Sequence, residues 1–158
     1  MTQPVWEQRI EELWASFDEY SEDDFRAKLD ELAQELPADV AAFERAGAFD
    51  STGHSDKAVP LYREALERGL QDPRRRQAVI QLASSLRNIG EAEESVRLLE
   101  AERERTSDEL DDAVDAFLAL ALIDTGRERE AASLLLTALA KHLPRYQRSA
   151  KNYAQMLV

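Results

Sequence analysis

The chain has 158 residues, no cysteine and a formal net charge of −12. This length favours a single domain over residues 1–158, and the absence of cysteine excludes disulfides, thiolate metal sites and cysteine nucleophiles. Because so acidic a chain repels polyanions, we expect no nucleic-acid partner. No apolar run approaches the roughly 18 residues of a membrane span, so we expect no membrane partner. We place the protein in the reducing cytoplasm, with which a cysteine-free chain is compatible.

Two amphipathic segments predict a helical hairpin over residues 1–37. The apolar residues of the first segment recur at helical spacing; they are Trp6, Ile10, Leu13, Trp14 and Phe17. The second segment begins at Ser21, with Asp24 three residues later as in a capping box, and we expect Pro37 to end it. The two tryptophans admit two interpretations, core packing or a dimer contact. The pair lacks a glycine turn, so we interpret it as a divergent N-terminal unit.

Three glycines at a fixed interval are the most informative feature of the chain. Gly53, Gly90 and Gly126 lie 37 and 36 residues apart, each between two helix-length segments. Five residues after each glycine stands a small residue, and four residues later a large apolar one; these pairs are Ala58 and Tyr62, Ser95 and Leu99, and Ala131 and Leu135. A small side chain lets two helices pack closely, and glycine ends a helix without Cβ strain. The period predicts repeats over residues 38–72, 73–107 and 108–143.

The ends of the repeats carry their own markers. We expect the second repeat to open at Asp72–Pro73 and the third at a capping box, Thr106-x-x-Glu109. After Pro144, a last helix over residues 144–158 is expected to cover the exposed end of the stack. These elements together predict an all-α fold, a right-handed superhelix of about four helical hairpins plus a C-terminal capping helix.

The pattern resembles the tetratricopeptide repeat, which pairs a small with a large residue in each helix. Four stretches are similar to a small bacterial family of tetratricopeptide proteins of undefined function; they are residues 43–53, 58–66, 74–90 and 112–122. The resemblance implies protein contacts and dimer formation, and it implies no reaction. The chain departs from the repeat pattern at Arg45, where a large apolar residue is expected, and at Glu102, where a small one is expected.

The sequence offers no motif for catalysis or for a cofactor. Its two histidines, His54 and His142, have no metal-binding partner at helical spacing, and no phosphate-cradling glycine loop is present. We therefore predict a non-catalytic protein with no cofactor and no metal, and an enzyme with an unrecognised site is a remote alternative.

The first helix of each hairpin in a helical stack lines a concave groove. In the second repeat this face carries a mainly polar stripe, which consists of Gln77, Ile80, Gln81, Ser84, Arg87 and Asn88. The neighbouring repeats add Phe43, Asp50, Phe117 and Asp124. Amides and a guanidinium can bind a peptide backbone or a carboxylate. The alternative is that these polar residues form only the solvated side of the helix. We predict a groove that binds a peptide or protein partner.

Self-association is the alternative that the sequence leaves open. Acidic residues dominate positions 1–36, whereas positions 141–151 carry four basic residues and no acid. The acidic end of one chain could therefore meet the basic end of another. In this alternative the protein is a structural homodimer whose groove is occupied by its own twin.

Overall fold

The computed structural model describes residues 4–158, so the first three residues of the predicted N-terminal hairpin lie outside the described range. Within that range the regular structure consists of nine α-helices and a short 3-10 turn, Phe17–Glu19. The helices are Val5–Ala15 (α1), Glu22–Ala33 (α2), Ala38–Ser51 (α3), Ser55–Glu67 (α4), Arg74–Asn88 (α5), Ala92–Arg105 (α6), Asp111–Asp124 (α7), Glu128–Ala140 (α8) and Gln147–Gln155 (α9). The all-α prediction is confirmed.

The helices form two compact units, one up to Gln81 and one from Leu82 onward, with the division inside α5. In the first unit α2 packs on both α1 and α3, and α3 packs on α4. In the second unit α7 packs on both α6 and α8, and α8 packs on α9. Contacts between helices that follow one another along the chain are typical of helical repeats. The single-domain assignment stays a prediction.

Four helices end in the same hydrogen-bonded turn, and three of these turns hold the periodic glycines. At the end of α3 the N–H of Gly53 donates to the carbonyl of Asp50 at 3.1 Å, and the N–H of His54 donates to that of Phe49 at 2.9 Å. Gly53 has a φ of 77°, a left-handed conformation that strains residues with a Cβ. The same pair of bonds recurs at Gly69, Gly90 and Gly126. The regular spacing of the three glycines in the sequence thus reflects the regular spacing of the turns that end α3, α5 and α7.

The small residues of the repeat pattern lie where helices pack closely. Ala58, Ser95 and Ala131 are at most 1 % exposed, and so are Ala46, Ala83 and Ala119 in the helices that precede the three glycines. The large partners Tyr62 and Leu99 are fully buried, but Leu135 is 41 % exposed. Leu135 therefore lies on an outer face of α8, which its place in the pattern does not predict.

The two departures from the repeat pattern are ion-paired. Arg45 pairs with Asp30 of α2 at 2.8 Å, so its charge is compensated at the surface of the α2–α3 pair. Glu102 is only 2 % exposed and pairs with Arg105 one turn later at 3.0 Å. A charged residue is tolerated at each of these positions because it has a partner of opposite charge.

One predicted helix start is confirmed and another is wrong. Ser21 accepts a hydrogen bond from the N–H of Asp24 at 3.2 Å and caps α2 as predicted. Thr106 does not start the third repeat, because α7 begins at Asp111. The Asp111 carboxylate accepts the N–H of Asp108 at 3.1 Å, and the Asp108 carboxylate accepts the N–H of Leu110 at 2.7 Å. These side-chain bonds hold residues 106–110 in a turn that delays the helix.

An aromatic cluster anchors the first hairpin to α3. The Phe25 ring is fully buried, with the Trp14 and Phe17 rings at 4.9 Å and 4.7 Å from it. Ala48 of α3 belongs to the same apolar core. Trp14 thus packs against the core, which is the first of the two interpretations given above for the tryptophans. None of the helices in residues 4–158 combines the length and the apolar character needed to cross a bilayer.

Candidate functional site

The N-terminal cleft is a depression of about 390 Å³ within the unit that ends at Gln81. Helix α3 supplies five of its lining residues: Phe43, Glu44, Gly47, Asp50 and Ser51. The others come from α1, from α4, from Pro73 just before α5 and from the first half of α5; they are Glu7, Trp14, Tyr62, Pro73, Arg74, Gln77 and Gln81. Its volume lies in the range of sites that hold a small ligand, roughly 300–1,000 Å³.

One wall of the cleft is formed by an indole that lies directly against α3. A Cβ added at Gly47 would lie 3.3 Å from the Trp14 ring, so the absent side chain permits this close approach. The Trp14 indole N–H donates to the Glu44 carboxylate at 2.8 Å. Because Glu44 and Gly47 are three residues apart on one helix, they share a face, and both meet the same ring.

Glu44 is a buried carboxyl, only 5 % exposed. This burial raises the pKa of Glu44, while the hydrogen bond from Trp14 and the positive charge of Arg74 act in the opposite direction. Loss of hydration is the dominant influence, because a charge is costly to remove from water.

Arg74 holds the entrance of the cleft between two carboxylates and an aromatic ring. Its guanidinium donates to Glu7 at 2.9 Å and lies 3.5 Å from the Glu44 carboxylate. It also lies over the Trp6 ring, 5.5 Å from the ring centre. A guanidinium is suited to this position because it combines a planar, weakly hydrated face with several donors.

The opposite wall carries Tyr62, whose side chain is fully buried. Its hydroxyl donates to the Asp50 carboxylate at 3.2 Å, and its ring lies 6.2 Å from that of Phe43. Burial, followed by the negative charge of Asp50, raises the pKa of Tyr62. The hydroxyl therefore stays protonated and serves as a donor, which keeps the Asp50 carboxylate oriented at the cleft.

Gln81 contributes an acceptor that has no hydrogen-bond donor in the described part of the chain. Its Oε1 atom is shielded from solvent, and no donor within residues 4–158 bonds to it. A buried polar atom without a partner costs about 1–3 kcal/mol. Gln81 lines the cleft and is partly exposed, so a rotation of its side-chain amide would bring this oxygen to a donor in the cleft.

The structure distributes the predicted groove residues over both units. Four of them line the N-terminal cleft: Phe43, Asp50, Gln77 and Gln81. Ile80 is only 6 % exposed, because it lies on the same buried side of α5 as Ala83, and it is not available to a partner. The remaining five belong to the second unit; they are Ser84, Arg87, Asn88, Phe117 and Asp124. That these residues form one groove stays a prediction.

In the second unit two of the predicted residues meet each other. The Arg87 guanidinium pairs with the Asp124 carboxylate at 2.6 Å, which joins the last turn of α5 to the last turn of α7. Both side chains retain partial exposure. A ligand that binds Arg87 must therefore compete with, or bridge, an existing ion pair.

Sequence reasoning did not single out Glu44, Arg74 or the cleft-facing side of Trp14. An available indication was the carboxylate of Glu44 within the stretch of residues 40–48, in which Glu44 and Arg45 are the only charged residues. The roles of Trp14 and Tyr62 could not be read in the same way, because an aromatic at helical spacing is equally typical of a core and of a pocket wall.

Over residues 4–158 no three His, Cys, Asp or Glu side chains are grouped to hold a metal ion.

Comparison with known proteins identifies the family. No curated protein and no solved structure shows significant similarity to the chain. The family model for the tetratrico peptide repeat, however, matches residues 39–157, which is more than half of the chain and includes the three periodic glycine turns. The chain therefore belongs to the tetratricopeptide repeat family, whose repeats typically act as protein-interaction modules rather than as catalysts.

Proposed function

We propose that this protein is a non-catalytic interaction module for a peptide or protein partner, and that the N-terminal cleft is part of the surface that binds it. The observation that carries the proposal is the cleft itself, where aromatic walls surround a few polar groups, including the unsatisfied Oε1 of Gln81. Preformed concave sites of this composition are the usual binding sites of proteins. We place the module in the cytoplasm, as expected from the cysteine-free sequence.

The groove predicted from the sequence extends this proposal into the second unit. There the polar side chains of Ser84, Arg87 and Asn88, with Phe117 and Asp124, would contact a partner that is longer than the cleft alone can hold. An amide and a guanidinium are suited to hydrogen bonding with a peptide backbone. The cleft would then anchor one side chain of the partner, and these residues would orient the chain that carries it.

The test begins with affinity capture of the tagged protein from cell extract and identification of the partner by mass spectrometry. The purified partner is then titrated against the wild type and against Gln77→Ala/Gln81→Ala, which removes two amides from the cleft. The matched control is Gln34→Ala/Gln155→Ala, which makes the same chemical change at two exposed positions outside it. We expect at least about tenfold weaker binding for the cleft variant alone. Equal affinities would remove the cleft from the binding surface.

Self-association is a second candidate, favoured by an exposed apolar surface on α8 and α9. Helix α9 docks on α8 through the Ser133 hydroxyl, which donates to the carbonyl of Ala154 at 2.8 Å. Several large apolar residues nevertheless remain exposed on these two helices and their ends; they are Leu135, Leu139, Tyr146, Tyr153 and Met156. Exposed aromatic and aliphatic side chains in a group are typical of interfaces.

Light scattering over a range of concentrations tests this candidate directly. A homodimer through α8 and α9 predicts twice the chain mass for the wild type and the single-chain mass for Leu139→Lys/Tyr153→Lys. The control is Val5→Lys, which changes an exposed apolar residue at the other end of the chain. A single-chain mass at every concentration would remove the homodimer.

A further inference from the structure

We propose that the N-terminal cleft takes a basic side chain of the partner, and that it prefers arginine to lysine. The inference rests on the proposed function, which supplies a protein or peptide as the ligand. It specifies the chemistry of the one partner residue that enters the cleft. Four features of the described residues lead to it.

The first feature is the balance of charge. The cleft is lined by the carboxyl groups of Glu7, Glu44 and Asp50 and by a single cationic group, Arg74. Such an excess of carboxylates attracts a cation and repels a carboxylate, more strongly inside a cleft than on an open surface. An acidic side chain or a C-terminal carboxylate of the partner is therefore disfavoured.

The second feature is the aromatic lining. The indole of Trp14 is partly exposed and forms one wall of the cleft, whereas the rings of Phe43 and Tyr62, which lie 6.2 Å apart, are buried. Aromatic faces attract cations, and the methylene stem of a basic side chain packs on apolar surface. A guanidinium gains more than an ammonium here because it is planar and less strongly hydrated.

The third feature is the environment of an arginine that the chain itself supplies. Arg74 already places a guanidinium over the Trp6 ring and within reach of the carboxylates of Glu7 and Glu44. This geometry at the entrance combines an aromatic face with carboxylate acceptors. The rest of the cleft offers the same two kinds of group in the partly exposed indole of Trp14 and the carboxylate of Asp50.

The fourth feature is the supply of acceptors. Asp50 presents a carboxylate oriented by the Tyr62 hydroxyl, and Gln81 presents an Oε1 that has no donor among residues 4–158. Arginine has five N–H donors and no acceptor, so it can pair with both residues. An apolar side chain would leave the Gln81 oxygen unsatisfied, and a glutamate would bring further acceptors and no donor. Lysine supplies donors but loses a larger hydration shell.

The experiment uses four blocked pentapeptides of sequence Ala-Ala-X-Ala-Ala, with arginine, lysine, leucine or glutamate at X. Each is titrated into the ¹⁵N-labelled full chain, up to about 10 mM for a weak single-residue ligand. The protein contains two tryptophans, so the indole N–H resonances of Trp14 and Trp6 are readily separated and report on the cleft and its entrance. We expect a saturable shift with the arginine peptide, a severalfold weaker one with lysine, and none with leucine or glutamate.

The matched variants are Asp50→Asn and Asp39→Asn, both on α3. Asparagine at position 50 keeps an acceptor for the Tyr62 hydroxyl and removes the negative charge. Asp39 lies outside the cleft lining. We expect at least about tenfold weaker binding of the arginine peptide to Asp50→Asn and no change for Asp39→Asn. Should Asp50→Asn not fold, Gln81→Leu supplies the same comparison, because it removes the unsatisfied acceptor.

The outcomes separate this inference from the proposed function. Binding of the leucine or glutamate peptide as tightly as the arginine peptide would overturn the inference, and so would the absence of a saturable shift with any peptide. Arginine-peptide binding that is unaffected in Asp50→Asn would also overturn it. None of these results removes the interaction module, which is judged by the titration of the captured partner.

Discussion

The indole N–H of Trp14 donates a 2.8 Å hydrogen bond to the carboxylate of Glu44, a side chain that is only 5 % exposed. The bond joins residues 30 positions apart and ties α1 to α3. It also fixes the wall of the N-terminal cleft, because the same indole lies against Gly47. This contact thus contributes both to the stability of this part of the fold and to the shape of the cleft.

Replacement of Trp14 by phenylalanine tests that contact. The ring still packs near Phe25, but the Glu44 carboxylate loses its donor in a buried position. We expect a loss of about 1–3 kcal/mol in the free energy of unfolding, measured with urea. Trp6→Phe is the control, because the Trp6 ring meets Arg74 through its face, which phenylalanine retains. Equal losses in the two variants would contradict the role given to the hydrogen bond.

The raised pKa of Glu44 predicts a dependence of stability on pH. A carboxyl whose pKa is higher in the folded than in the unfolded protein stabilises the fold fully below the unfolded pKa, and this contribution is lost as the pH rises through the folded pKa. Glu44→Gln removes the titration. Relative to the wild type, the variant should therefore gain stability as the pH rises from about 5 and level off above the folded pKa.

Urea unfolding of wild type and Glu44→Gln at a series of pH values measures this difference. The titratable and charged groups that line the cleft with Glu44 are Arg74, Glu7, Asp50 and Tyr62, and they are present in both proteins. Their contributions therefore largely cancel in the comparison. A difference that is constant with pH, or that moves in favour of the wild type, would show that burial does not raise this pKa.

The glycine turns predict a cost for a side chain at the end of α5. Gly90 has a φ of 91°, and an added Cβ would have no heavy atom within 4 Å, so any loss comes from backbone strain alone. Gly90→Ala should lower the free energy of unfolding by about 1–2 kcal/mol. Gly90→Asn should cost less, because asparagine tolerates the left-handed conformation. Thermal or urea unfolding distinguishes the two, and an equal effect of both substitutions would refute the argument.

Which features could be predicted from the sequence depends on the range of the interaction that creates them. The turn at Gly53 is local, since its hydrogen bonds lie within six residues, and it was readable from the spacing of the glycines. The start of α7 is also local, yet the Thr106 capping box was wrong because Asp108 and Asp111 form competing side-chain bonds. The pattern of residue types did not reveal that the bonds of Asp108 and Asp111 would form in place of the capping box.

The cleft depends on contacts that no local pattern contains. Glu44 meets Trp14 and Arg74, which lie 30 residues to either side of it in the chain. Only the packing of α1 and α5 around α3 brings the three together. Phe43, Asp50, Gln77 and Gln81 were selected from the sequence because they share helix faces, and the structure adds the walls that make a cavity of them.

Replacement of Gln81 by leucine should stabilise the fold although it removes an acceptor from the lining of the cleft. The substitution removes a buried oxygen that has no donor among the described residues 4–158 and replaces it with an apolar group, so the free energy of unfolding should rise by about 1 kcal/mol. Gln77→Leu is the control, since none of the unsatisfied buried atoms found in residues 4–158 belongs to Gln77. A destabilised Gln81→Leu would contradict the view that this residue is kept for a ligand.

The Arg87–Asp124 pair tests whether binding extends into the second unit. The pair is partly exposed, so Arg87→Ala with Asn88→Ala should lower stability by only about 0.2–1 kcal/mol and leave the helical circular dichroism unchanged. Capture of the partner should nevertheless be lost, because the polar groups that orient it are gone. Undiminished capture by the folded variant would confine the binding surface to the first unit.

The most direct test of the central claim is the dissociation constant of the captured, purified partner for the wild type and for Gln77→Ala/Gln81→Ala, by isothermal titration calorimetry. The account predicts binding to the wild type, at least about tenfold weaker binding to this variant, and wild-type affinity for the control Gln34→Ala/Gln155→Ala. Equal affinity for all three proteins, or capture of nothing but further copies of the chain itself, would contradict an interaction module that works through the N-terminal cleft.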